Sequence, residues 1–127
     1  MADLVVDASS VVDLLLGNEL GSAVGRRLRG HDLHAPAHLD AEVLSALGRL
    51  HRSGAVGADS VTTLLVALRE APLQRHPVAA VLDGAWARRD RVRLIDAPYL
   101  ELAAQRECPL VTTDRRLRAE TRVDVVG

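Results

Sequence analysis

Residues 95–117 read IDAPYLELAAQRECPLVTTDRRL, and this stretch decides the fold class. Asp96 opens an apolar segment that predicts a helix over 96–107. Pro109 then starts a β run, Leu110 to Thr113, which ends on a second acid, Asp114. A helix that feeds a strand, with an acid at each junction, belongs to a parallel α/β sheet. Working back to the start of the chain, Leu4 to Val6 is a short apolar run, read as a buried parallel strand. Asp7, Ser9 and Ser10 follow it with capping oxygens. Working forward, a short helical turn follows Asp114, and Val123 to Val126 closes the sheet.

Between these ends, Val11 to Leu16 reads as a helix stopped by Gly17 and Asn18. A second helix runs from Leu20 to Leu28. Asp32 to Ala35 is a weak strand candidate before Pro36. Leu39, Val43, Leu47 and Leu50 recur at helical spacing and mark the clearest helix of the first half. Val61, Leu64, Leu65 and Leu68 mark another. Leu73 to Arg75 reads as a short edge strand, and Val78 to Trp86 as a helix opened by Pro77. The order β-α-α-β-α-α-β-α-α-β-α-β predicts an α/β fold with a central, mainly parallel sheet, formed as one domain over residues 1–127.

Apolar residues make up 48% of the chain, nearly all Ala, Val and Leu, with no Phe, one Trp and one Tyr. A core of small aliphatic side chains suits close helix-on-sheet packing. All 16 basic residues are Arg, clustered at Arg26 to Arg29, Arg88 to Arg93 and Arg115 to Arg118. The lone Cys108 has no partner for an internal disulfide, so a reducing compartment is expected. No apolar run approaches the roughly 18 residues of a membrane span. No basic n-region with a following apolar stretch is visible, which predicts a cytoplasmic protein.

Four acids fall where a parallel sheet brings residues together: Asp7, Glu42, Asp96 and Asp114. Strand C-termini and the following helix N-termini share one edge, and ligands bind in the crevice there. Asp7 and Asp114 end strands, and Asp96 begins the helix that feeds the later strand. Glu42 lies inside a helix, beside its apolar stripe. Helix capping accounts for each Asp singly, at about 1 kcal/mol apiece. Gathered together, carboxylates about 4 Å apart repel by roughly 4 kcal/mol at an effective dielectric near 20. Protonation or a cation relieves that repulsion. A hard divalent ion with oxygen ligands, Mg²⁺ or Mn²⁺, points to phosphate chemistry. Asp40 faces away from Glu42 on its helix, and Asp13 is expected to solvate its own helix. His31, His34 and His38 are spaced like zinc ligands, but Pro36 interrupts any helix that would align them.

With these residues in hand, the chain resembles the PIN-domain ribonucleases, and among them the VapC toxins of VapBC toxin–antitoxin pairs. The matching stretches are VVDASSVVDLLL at 5–16, AEVLSALGRL at 41–50, residues 95–117 and the short terminal strand. The resemblance implies a three-layer α/β/α fold. It implies that Asp7, Glu42, Asp96 and Asp114 bind one or two Mg²⁺ ions, with Mn²⁺ able to substitute. Ser9 and Thr112 are then hydroxyls at or just behind the ion. It further implies hydrolysis of RNA, often tRNA or another structured RNA, a homodimer, and a cognate VapB-type antitoxin that blocks the cleft. Some relatives carry another acid just after the last Asp. Arg115 and Arg116 stand there in this chain, which bears on a second ion more than on the first.

The expected chemistry is attack by an activated water, leaving a 5′-phosphate and a 3′-hydroxyl. Arg49, Arg115 and Arg116 are expected to grip phosphates, and the shortage of aromatics argues against a base-stacking platform. A receiver domain and a haloacid-dehalogenase-type phosphatase both need a Lys, which this chain lacks. A P-loop is absent. The remaining alternative is a catalytically weak PIN-like module that binds RNA or protein.

Overall fold

The structure, a computed structural model, describes residues 2–127. The strands are β1 (Asp3–Val6), β2 (Asp32–Pro36), β3 (Leu73–His76), β4 (Leu110–Thr112) and β5 (Val123–Val125). The helices are α1 (Ala8–Leu16), α2 (Glu19–Leu28), α3 (Leu39–Arg52), α4 (Ala58–Glu70), α5 (Leu82–Trp86) and α6 (Ala97–Gln105). The five strands form one sheet in the order β3-β2-β1-β4-β5, and every pairing is parallel. Helices cover both faces in a three-layer α/β/α arrangement, as expected. Helix α1 packs on α2, α3 and α4, while α6 packs on β1, β2, β4 and α5. Among the described residues no helix is long and apolar enough to cross a membrane.

The central strand explains the architecture. Leu4, Val5 and Val6 are all buried, because β1 has a neighbour on each side and helices above and below. Their partners in β4, Leu110 and Val111, are equally buried. Leu39, Val43 and Leu47 form the buried stripe of α3, at the helical spacing read from the sequence. Tyr99 is the largest fully buried side chain and fixes α6 against the opening turns of α3 through Glu42.

Several boundaries differ from the expectation, each for a local reason. Helix α1 begins at Ala8, ahead of Val11, because the Asp7 side chain accepts from Ser10 N and caps the helix there. The expected helix from Val78 to Trp86 divides into a 3-10 turn, Val78–Val81, and the short α5, with Val81 at φ −118° and ψ 5° breaking the ladder. The segment after Asp114 is a 3-10 turn, Arg115–Leu117. The weak candidate β2 is an inner strand between β1 and β3. Its His34 is buried and accommodated by polar partners: Nδ1 lies 2.9 Å from His76 Nε2 and Nε2 lies 3.0 Å from Asp3 Oδ1. Arg106, at the end of α6, completes this cluster by donating to Asp3 at 2.9 Å. His31, His34 and His38 do not converge; His31 bonds the Arg29 carbonyl and His38 the Ile95 carbonyl.

Two measurable consequences follow from packing and charge. A Cβ built on Gly21 would lie 2.0 Å from the Asp13 carbonyl oxygen, so α1 and α2 touch backbone to backbone. Gly21→Ala is expected to lower stability by about 1–3 kcal/mol in urea unfolding, the usual cost of overpacking. A change under about 0.5 kcal/mol would mean that the two helices part freely. The second concerns His76. Burial, then the facing His34 and Arg106, holds its pKa below the ordinary 6.5, while Asp3 opposes the shift. The unfolded chain therefore takes up this proton more readily than the folded one. The contribution of His76 is present above pH 6.5 and is lost as pH falls through that value toward the folded pKa. The thermal midpoint should fall between about pH 7.5 and 5.5, and less steeply in His76→Gln. An identical slope in the variant would clear His76 of the effect.

Candidate active site

The C-terminal edge of the sheet holds a cleft of about 340 Å³. Its walls include Asp7, Glu42, Asp96 and Asp114, so the four acids singled out in the sequence share one site. Ser9, Arg49 and Arg116 line it too. So do three residues to which the sequence reading gave no role there: Asp13, Arg93 and Tyr99. Arg115 stands apart. It is absent from the cleft wall and donates to the Gly127 carbonyl at 3.2 Å.

Asp7 sits deepest and is 6% exposed. It follows directly from β1, and the turn into α1 aims it at the end of β4. Thr112 Oγ1 donates to Oδ2 at 2.5 Å. Ser9 Oγ donates to Oδ1 at 2.8 Å, and Ser10 N to the same atom at 3.0 Å. Ser9 and Thr112 hydroxyls lie 3.3 Å apart. Both hydroxyls thus orient the carboxylate, and Thr112 Oγ1 also accepts from Asp114 N at 2.9 Å. Burial pushes the Asp7 pKa up, and the hydrogen bonds from Thr112, Ser10 and Ser9 only partly oppose it. No basic side chain among the described residues bonds Asp7, so this buried charge lacks a cation.

Glu42 is held by Tyr99 and flanked by His38. Tyr99 Oη donates to Oε1 at 2.6 Å, and His38 Nε2 stands 3.3 Å from the same atom. The His38 and Tyr99 rings pack with centroids 4.8 Å apart. Burial, followed by the bond to Glu42, raises the Tyr99 pKa far above its ordinary value, so the phenol stays protonated and donates. Tyr99 belongs to the stretch 95–117, and its spacing of three from Asp96 was the available signal for a shared role.

Asp96 and Asp114 are paired with arginines that reach in from solvent. Arg93 Nε donates to Asp96 Oδ2 at 2.9 Å and Nη2 to Oδ1 at 3.3 Å. Arg116 Nη2 donates to Asp114 Oδ2 at 2.7 Å, and Nε to Oδ1 at 3.0 Å. The Arg116 side chain holds the Asp114 pKa below the usual carboxylate range. Asp13 corrects the expectation of a solvated helix residue: it accepts from Thr113 Oγ1 at 2.9 Å and joins α1 to the loop after β4. Asp40 does turn away, and pairs with Arg75.

The donor set suits a hard divalent cation, because carboxylates and hydroxyls gather at one edge without a thiolate. As the side chains stand, no three of the described His, Cys, Asp and Glu are placed to hold a metal ion together. Asp96 and Asp114 instead spend their oxygens on Arg93 and Arg116. The residues fit an ion by chemistry and by sharing a cleft, once those two pairs open.

Comparison with known proteins agrees with this geometry. The PIN domain family profile matches residues 4–121. Ribonuclease VapC3 of Mycobacterium tuberculosis is 52% identical over 115 residues, covering 90% of this chain and 84% of the relative. Ribonuclease VapC12 of the same organism is 35% identical over 114 residues, covering 90% and 88%. Among solved structures, Mycobacterium tuberculosis VapC20, a Sarcin-Ricin loop cleaving toxin, superposes with a TM-score of 0.72 at 17% identity, covering 98% of this chain and 99% of that one. A toxin–antitoxin complex from Klebsiella pneumoniae gives a TM-score of 0.68 at 15% identity, covering 96% of each chain. Profile, identity and topology thus converge with the acidic cleft, and the chain belongs to the PIN-domain family, among its VapC ribonuclease toxins.

Proposed function

We propose that this chain is a divalent-metal-dependent endoribonuclease, the toxin of a toxin–antitoxin pair, which hydrolyses tRNA or another structured RNA. The observation that carries the reading is the placement of Asp7, Glu42, Asp96 and Asp114 around one cleft at the C-terminal edge of a parallel sheet. Asp7, Asp96 and Asp114 would hold one Mg²⁺ or Mn²⁺, with Glu42 a direct ligand or acting through water, and a second ion is less favoured with Arg116 beside Asp114. What such an ion supplies is Lewis acidity toward water and phosphate at neutral pH.

The chain's own residues do the rest. Ser9, Ser10 and Thr112 fix both oxygens of Asp7, so its lone pairs face the cleft without rearrangement. Tyr99 fixes Glu42 in the same way, with the His38 ring packed beside it. Such support orients ligands and is typically worth 10–100-fold in metal affinity or activity. Arg49 presents a guanidinium suited to a phosphate; its own bond in the cleft wall is to Ser45 Oγ at 2.9 Å. Attack by water, with the 2′-hydroxyl uninvolved, leaves a 5′-phosphate and a 3′-hydroxyl. The VapC relatives, and the fold shared with a toxin–antitoxin complex, support an antitoxin partner. The toxin would act in the cytoplasm as a homodimer.

The test is RNA cleavage in Mg²⁺ or Mn²⁺ with end-group analysis of the products. Asp7→Asn is expected to cut activity by at least about a hundredfold. Its thermal midpoint without metal should equal or exceed that of wild type above neutral pH. The sign follows from burial: a carboxylate whose folded pKa is raised destabilises the fold as pH rises through its ordinary value. Undiminished cleavage in Asp7→Asn, or 2′,3′-cyclic phosphate ends, would sink the mechanism and favour a PIN-like binding module. Tyr99→Phe should lower activity by about tenfold to a hundredfold through Glu42 and stability by about 1–2 kcal/mol. A variant that loses stability alone would make the Tyr99–Glu42 bond purely architectural.

A further inference from the structure

We propose that Arg93 and Arg116 are built-in counterions of the cleft, and that a divalent cation is ligated only after displacing both from Asp96 and Asp114. This rests on the metal-dependent reading above and adds a regulatory step at the same site.

Four observations carry it. Each guanidinium meets its carboxylate at two points, so both oxygens of Asp96 and both of Asp114 are taken. Those are the lone pairs that a hard cation would need. Consistently, among the described residues no three acids stand ready to share an ion.

Second, the anions are anchored while the cations are loose. The Asp96 and Asp114 side chains are 14% and 17% exposed, against 58% and 67% for Arg93 and Arg116. Third, both pairs are local in sequence. Arg93 lies three residues before Asp96, and Arg116 two residues after Asp114. Either pair opens by side-chain rotation alone, with the backbone of α6 or β4 at rest.

Fourth, the pairing is selective. Five carboxylates and three guanidiniums line the cleft. Asp7 receives only neutral donors, and Glu42 a phenol, with the His38 imidazole 3.3 Å away. The third guanidinium, Arg49, bonds a serine and no acid. Of the cleft acids, Asp96 and Asp114 alone are closed by arginine. An exposed ion pair is worth little, so a cation with millimolar or tighter affinity is able to break it. The consequence is a cleft that resists weakly binding cations and yields to one that gains three or four carboxylates at once.

The experiment is a calorimetric titration of Mn²⁺ into the full chain, for wild type, Arg93→Gln, Arg116→Gln and the double variant. All of these side chains are exposed, so folding is not at stake. Each single change is expected to tighten Mn²⁺ binding by about two- to fivefold, the range set by one exposed ion pair, and the double change by about tenfold. Arg49→Gln is the charge control. It removes the same charge from the same cleft without opening an acid pair, and should alter the affinity by less than about twofold.

Binding by the variants but not by wild type would support the proposal in its strongest form. If all four proteins bind Mn²⁺ with equal affinity, or if Arg49→Gln tightens binding as much as the others, the counterion proposal falls and the metal site stands. If none of them binds Mn²⁺, the metal-dependent reading fails and takes the proposal with it.

Discussion

The bond from Thr112 Oγ1 to Asp7 Oδ2 joins the ends of the two innermost strands of the site edge, β1 and β4. Much of the edge is built on that contact. Ser10 reinforces it by donating to the Val111 carbonyl at 3.0 Å, which locks the first turn of α1 onto β4. Thr112 then positions Asp114 through its backbone N–H. A buried carboxylate is costly unless its oxygens are satisfied, and Asp7 has three donors on two oxygens. Capping and site formation are therefore one act at Asp7. The bonds that start the helix also fix the direction in which the acid faces.

The acids of the cleft are neutralised in three different ways. Asp7 relies on hydroxyls, a backbone amide and a raised pKa. Glu42 relies on a protonated Tyr99. Asp96 and Asp114 rely on full positive charges reaching in from solvent. Asp7, the most buried of the four, has only neutral donors. A guanidinium would itself be expensive to bury beside Asp7, while beside Asp96 and Asp114 it stays largely hydrated.

Much of this was legible in the sequence because it rests on short-range rules. Apolar runs gave β1 and β4, helical spacing gave α3, and acids at strand ends gave the cleft. What escaped depended on partners distant in the chain. Strand β2 looked weak because His34 breaks its apolar pattern, and only the facing Asp3 and His76 make that residue tolerable in an inner strand. Asp13 looked like a surface residue because Thr113, its partner, lies a hundred positions away. Arg115 and Arg116 were equivalent by composition, yet the 3-10 turn after Asp114 sends one toward Gly127 and the other into the cleft. The role of Tyr99 required knowing that α6 crosses the first turns of α3.

The strand order has a bearing on how the molecule is made. Of the five strands of the sheet, β1 comes first in the chain and lies at the centre, and its neighbour β4 comes fourth. Asp7 waits for a hydroxyl that is 105 residues downstream. While the chain is still on the ribosome, β1 has an open edge on the side where the cleft will form, and Asp7 has neither Thr112 nor Asp114 beside it. A nascent or prematurely terminated chain thus lacks half of the site. For a member of a ribonuclease family, the topology delays assembly of the cleft until the chain has been made through Asp114.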